Sequence, residues 1–199
     1  MKLIYNKELI AGKLRRWERY MHNYKLPSWE EIPDFGLYME QVIALLTQYL
    51  DYLPPELKDD QFITAATINN YVRTKVMPEP IKKKYYRIHL AYLIMICTLK
   101  QSMSIAILQK MIPMDIPDEE VQAIYSAYAR QHRRTTEYFV EQVKVAAGNI
   151  LDHDNATDFA VNDVVDLISM NAVISGFSGL FANKLLLLEG KSLEGQEID

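Results

Sequence analysis

Between Asp118 and Ile150 the apolar positions repeat with a helical period. Val121, Tyr125, Tyr128, His132, Thr135, Phe139, Val143, Ala146 and Ile150 follow at steps of four and three. That spacing stacks side chains on one face of an α-helix, whereas a half-buried strand alternates every second residue. The stretch therefore predicts one long helix, and Asp118, Glu119 and Glu120 in its first turn suit the positive end of the helix dipole. Thr135 and His132 make the middle of the seam polar, so the coiled-coil signal is weak.

The same reading carries through the rest of the chain. Ile10, Leu14, Trp17, Met21 and Tyr24 form one apolar face of a helix over about 7–24, with Lys13, Arg15, Arg16 and Arg19 on its other faces. Ser28 and Glu31 stand at capping-box spacing over a short turn of helix that Pro33 ends. Leu37, Val42, Leu45, Leu46 and Tyr49 place a helix over about 36–53, stopped by Pro54 and Pro55. Shorter helices are expected over about 64–75, 88–100 and 102–111, and a last long one over about 159–188. With 7 Gly and 8 Pro in 199 residues and no turn-rich alternating pattern, the fold class is all-α. The expected organisation is a basic helix and connector over 1–35, a compact domain over 36–112, a helical region over 118–190 and a tail over 191–199.

Charge is segregated. The formal net charge is -4, yet residues 1–25 carry +5 and residues 63–100 carry +6, so the remainder sums to -15. Two basic segments on an acidic body point to a polyanion-facing surface. The second segment contains "ITAATINNYVRTKVMPEPIKKKYYR". Thr64 is placed to cap a helix that opens Ala65, Ala66, Thr67. Ile68, Tyr71 and Val72 give it a core-facing stripe, which turns Asn69, Asn70 and Arg73 outward. Asparagine amides read adenine in the major groove and also bond phosphate oxygens. After Pro78 and Pro80, the basic turn of Lys82, Lys83, Lys84 and Arg87 with Tyr85 and Tyr86 interleaved is the footprint expected at phosphates.

Through Ile63, Thr64, Thr67, Ile68, Tyr71, Val76 and Pro78 this stretch resembles the second helix of MerR-type winged helix-turn-helix regulators. Lys83 and Tyr85 stand where that family has its wing, His89 and Leu90 where the following helix opens. Met103, Ser104, Ile105 and Leu108 match a further turn of the pattern. Asn69 and Asn70 replace the family's Arg-Tyr pair, and Lys75 replaces its helix-ending glycine. The wider combination "LYMEQVIALL … KKKYYRIHLAYL" is similar, over roughly residues 29–150, to a bacterial family known as domain of unknown function 1836. The resemblance implies a MerR-like winged helix-turn-helix with a recognition helix over 64–75 and a wing over 82–87. It implies DNA contacts from Thr64, Thr67, Asn69, Asn70, Arg73, Lys75, Lys82, Lys83, Lys84, Tyr85 and Arg87. The helices after Pro117 are then expected to make a homodimer, and they would seat a small-molecule effector of unidentified chemistry.

Other functions find little support. No Walker loop, dinucleotide fingerprint, nucleophile elbow or HExxH occurs, so no enzyme, catalytic residue or cofactor is expected. "LDHDNATD" at 151–158 lacks calcium-loop order and a second histidine at ligand spacing, so no metal site is expected. "RQHRR" at 130–134 reads as a solvated helix face. Asn171, Asn183 and Lys184 interrupt the apolar run at 167–188, so membrane insertion is not expected. Cys97 lies in an apolar run and reads as a core residue, and one cysteine with no signal peptide fits the cytoplasm. A non-catalytic helical module that binds an acidic protein instead of DNA is the alternative.

Overall fold

A computed structural model describes residues 7–51, 63–101, 103–146, 172–181 and 188. These are helical, in the order α1 (Lys7–Asn23), α2 (Met39–Tyr49), α3 (Ala65–Arg73), α4 (Arg87–Leu99), α5 (Ile105–Met111) and α6 (Asp118–Ala146). Residues 172–181 add α7. Among the described residues the only extended pairings are two isolated bridges, Leu37 with Tyr85 and Ile81 with Lys84.

The run "HLAYLIMICTL" explains the architecture. Every residue from His89 to Leu99 is buried, so α4 has no solvent face and must be wrapped on all sides. α2 and α6 pack directly on it, α1 lies along α6, and α3 packs on α2. Leu90, Leu93, Ile94 and Ile96 are wholly inside. Each contributes roughly 1.5–3 kcal/mol of burial free energy, an upper range because the unfolded chain is itself partly collapsed. Cys97 is buried here, and loss of solvation pushes its thiol up to about 12, as expected of a core residue.

Two helix starts shift for identifiable reasons. α2 starts at Met39 because Leu37 pairs with Tyr85, and the side chain of Gln41 caps the Tyr38 N–H at 2.9 Å. Ser28 and Glu31 do form the reciprocal capping pair, at 2.7 and 3.3 Å, but over a turn instead of a helix. α5 opens at Ile105 because Ser104 takes extended backbone at the cap position. The expected end of α6, the expected start of the last helix and the acidic loop at 152–158 lie outside the described residues, while Leu188, where the last helix is expected to end, is a buried turn residue.

The face at 130–134 is not wholly solvated. Gln131 and His132 are buried, and Arg133 donates to the Tyr24 carbonyl at 3.2 Å, tying α6 to the end of α1. The His132 ring sits 6.1, 6.1 and 5.8 Å from the Tyr24, Tyr128 and Phe177 rings. Ala172 and Gly176, two of the small residues of α7, serve the monomer: Ala172 is buried, and a Cβ on Gly176 would lie 3.3 Å from Gln101. Among the described residues no helix is long and apolar enough to cross a membrane, and no side-chain cluster could hold a metal ion.

Candidate nucleic-acid interface

α3 begins as its sequence predicts. Thr64 has extended backbone, and its hydroxyl accepts the Thr67 N–H at 3.0 Å. The Thr64 and Thr67 hydroxyls also bond each other at 2.9 Å, so these two candidate contacts are engaged in starting the helix. Ile68 and Tyr71 are buried and Val72 is half-buried, which leaves Asn69 and Arg73 exposed. Arg73 donates to the Asn70 Oδ1 at 2.7 Å, one turn back. That bond leaves the Asn70 amide NH2 as the donating part of its side chain.

The end of α3 resolves the missing glycine. Lys75 takes left-handed backbone, with φ 51. Its N–H donates to the Val72 carbonyl at 2.9 Å, and the Val76 N–H to the Tyr71 carbonyl at 3.1 Å. These two bonds make a Schellman motif, completed by the buried side chains of Val76 and Tyr71. A lysine thus occupies the place where glycine costs least. Gln109 of α5 donates to the Thr74 carbonyl and braces the same end.

Residues 81–84 form the smallest possible hairpin. Ile81 and Lys84 exchange backbone bonds of 3.0 and 2.9 Å. Between them Lys82 and Lys83 have φ 49 and 64, the two positive values that a type I′ turn demands and that Asn-Gly normally supplies. Leu37 and Tyr85 exchange a second pair of bonds, both 2.8 Å. The antiparallel register sets Tyr38 opposite Lys84, whose ammonium lies 5.3 Å from the Tyr38 ring centre. It also brings Gly36 against Tyr86, where an added Cβ would come within 2.9 Å of the Tyr86 ring and the Lys84 stem.

This alternation sorts the candidate residues. Leu37 and Tyr85 point inward, and Tyr85 is only 3% exposed, so it is a core residue and not a surface contact. Tyr38 and Ile81 point outward, 55% and 58% exposed, on either side of Lys84. Sequence reading missed both; the period of two around the buried Tyr85 is the signal that carries Lys84 outward. Arg87 is also held in the fold. Its Nε donates to the Ile32 carbonyl at 2.7 Å, and its guanidinium lies 5.7 Å from the Trp29 ring and 3.9 Å from the Asp34 carboxylate.

His89 locks the base of the hairpin. Its Nδ1 accepts the Tyr86 N–H at 3.0 Å while Nε2 bonds the Glu79 carbonyl at 2.9 Å. A backbone N–H only donates and a carbonyl only accepts, so the ring is the neutral Nε2–H tautomer. Burial holds His89 below the ordinary histidine range. The hairpin, α3 and its cap therefore present Asn69, Asn70, Arg73, Lys75, Lys82, Lys83 and Lys84 from rigidly fixed backbone. Thr64, Thr67, Tyr85 and Arg87 hold that backbone in place.

No curated protein and no solved structure matches the chain. A family model described as "Domain of unknown function (DUF1836)" matches residues 27–130, from the connector before α2 into the first half of α6. That span is just over half of the 199 residues and contains α3 and the hairpin entire, and the chain belongs to this domain-of-unknown-function family.

Proposed function

We propose that the chain is a sequence-specific DNA-binding transcriptional regulator with a MerR-like winged helix-turn-helix. In this reading α3 enters the major groove with Asn69, Asn70 and Arg73 nearest the bases, and the hairpin is a short wing on the phosphates. The observation that carries it is the hairpin tip. Lys82 and Lys83 sit side by side in left-handed backbone that asparagine and glycine would adopt at lower cost. Two ammonium groups are thereby projected from a rigid two-residue loop in a segment of net charge +6. The proposal extends to a cytoplasmic homodimer joined through the helices after Pro117, matching the two-fold symmetry of palindromic sites. An effector of unidentified chemistry would act through those helices.

Selection of bound sequences from a random duplex library tests the reading directly. A two-fold symmetric motif is the expected result, and an unenriched pool would overturn it. The charge assignment has its own check. Replacing Lys82, Lys83 and Lys84 by alanine should weaken binding on every sequence and flatten the salt slope by about 0.9 for each phosphate no longer neutralised. An unchanged slope would remove the hairpin from the interface. The exposed pair Tyr38 and Ile81 favours a second reading, a protein-interaction module whose apolar row and lysines take an acidic protein partner. That reading predicts no duplex binding in a gel shift even at low salt.

A further inference from the structure

Away from the hairpin, a cleft of about 450 Å³ opens where α1, the 24–31 connector and the end of α2 meet. Its volume lies within the range of roughly 300–1,000 Å³ seen for small-molecule sites. Tyr20, Tyr24 and Tyr49 line it. All three hydroxyls are donated to backbone carbonyls: Tyr20 to Asp51, Tyr24 to Tyr49 at 2.9 Å, Tyr49 to Glu31 at 3.2 Å. The polar ends of these side chains are therefore occupied, and the rings are fixed before any ligand arrives. Tyr20 and Tyr24 stack with ring centres 6.4 Å apart.

Most of the fixed electrostatics of the cleft has one sign. α1 and α2 both end here and bring the negative ends of two helix dipoles to it, that of α1 partly offset by the Arg133 guanidinium on the Tyr24 carbonyl. Tyrosine ring faces are electron-rich. The Glu31 carboxylate accepts the Ser28 N–H at 2.7 Å, and this bond followed by the Lys25 contact holds it below the usual carboxylate range, so it is ionised. Among the described residues the one cation lining the cleft, Lys25, lies 3.1 Å from Glu31 with both side chains about half exposed or more. An exposed pair of this kind is weak, and its ammonium can be displaced without unfolding anything. Lys25 reads as an internal stand-in for a ligand cation.

We infer that this cleft is a binding site for an aromatic or quaternary organic cation, held by the tyrosine faces and by Glu31 in place of Lys25. Calorimetric titration of the full chain with benzyltrimethylammonium, benzyl alcohol and benzoate tests it. The cation should bind saturably with a dissociation constant of about 1 mM or tighter, and the neutral and anionic rings should bind at least tenfold more weakly, on the order of the charge term removed. Glu31→Gln keeps the Ser28 N–H bond and should weaken the cation roughly fivefold; Tyr20→Ala should weaken it similarly. Lys25→Ala removes the competitor and should tighten it roughly two- to fivefold. No saturable heat from the cation, equal affinity for the three probes, or Lys25→Ala binding no tighter than the parent would each overturn the inference.

Discussion

The lysine turn offers the sharpest test of how the hairpin is built. For an L-residue, left-handed backbone costs roughly 1–2 kcal/mol relative to the right-handed form, less for asparagine and nothing steric for glycine. Lys82→Asn with Lys83→Gly keeps the turn that φ values of 49 and 64 require and removes most of that cost. Glycine gives back roughly 0.5–1 kcal/mol through the freedom it adds to the unfolded chain. The net expectation is a stabilisation of about 1–2 kcal/mol, or a rise in Tm of about 4 °C for a chain of this size. Removing two charges from a segment of net +6 would also relieve repulsion, so a second variant is needed. Lys82→Gln with Lys83→Gln removes the same charge and leaves the backbone cost in place. Thermal melts at low and high salt should rank the Asn-Gly variant above the Gln-Gln variant at both. If the two melt together, the gain is electrostatic and the account of the turn is wrong. Both variants should lose DNA affinity equally, because the reading assigns binding to charge and not to turn shape.

Further expectations concern single positions. Asn69→Ala should relax the selected sequence motif while leaving stability nearly unchanged, since Asn69 is exposed on α3; an identical motif would remove it from base readout. Gly36→Ala should cost about 1–2 kcal/mol and lower DNA affinity without changing charge, because the new Cβ drives into Tyr86 and Lys84; an unaffected melt would mean that the contact yields freely. Stability should fall as pH drops from about 6.5 toward 4, because burial depresses His132 to about 4 and the unfolded chain binds the proton first. That stability is fully present above the unfolded pKa and amounts to about 3 kcal/mol for His132, with His89 adding in the same direction. His132→Phe should flatten the acid limb of a urea-denaturation series; a parallel curve would place the sensitivity elsewhere.

Much of the fold was legible because burial has a period. α4 is a continuous apolar run, and only a helix wrapped by others can hide it. α3 declared itself through Thr64 at its cap and the Ile68–Tyr71 stripe, both found as expected. Helix ends were harder to place where partners distant in sequence decide them. The start of α2 depends on Tyr85, which lies 48 positions beyond Leu37 and takes that residue into a backbone pair. In the sequence His132 falls both on a core seam and within a basic face, and its burial among Tyr24, Tyr128 and Phe177 places it in the seam.

The candidate site was legible in composition but not in orientation. A run of three lysines and two tyrosines states that charge and aromatic area are near each other, while the hairpin register decides which of them face out. A two-residue turn at Lys82 and Lys83 sends Tyr85 inward, and the bridge to Leu37 recruits Tyr38 to the outer row. The same geometry bears on why lysine is there at all. Lys75, Lys82 and Lys83 all hold positive φ, at positions where turn chemistry favours glycine or asparagine. A sequence shaped for stability alone would use those residues and lose nothing in packing, since all three lysines are exposed. Local rules broken without a gain in packing point to a demand on the side chain itself. Under the proposed function that demand is for an ammonium at each of the three positions, where a solvated loop would be served as well by asparagine or glycine.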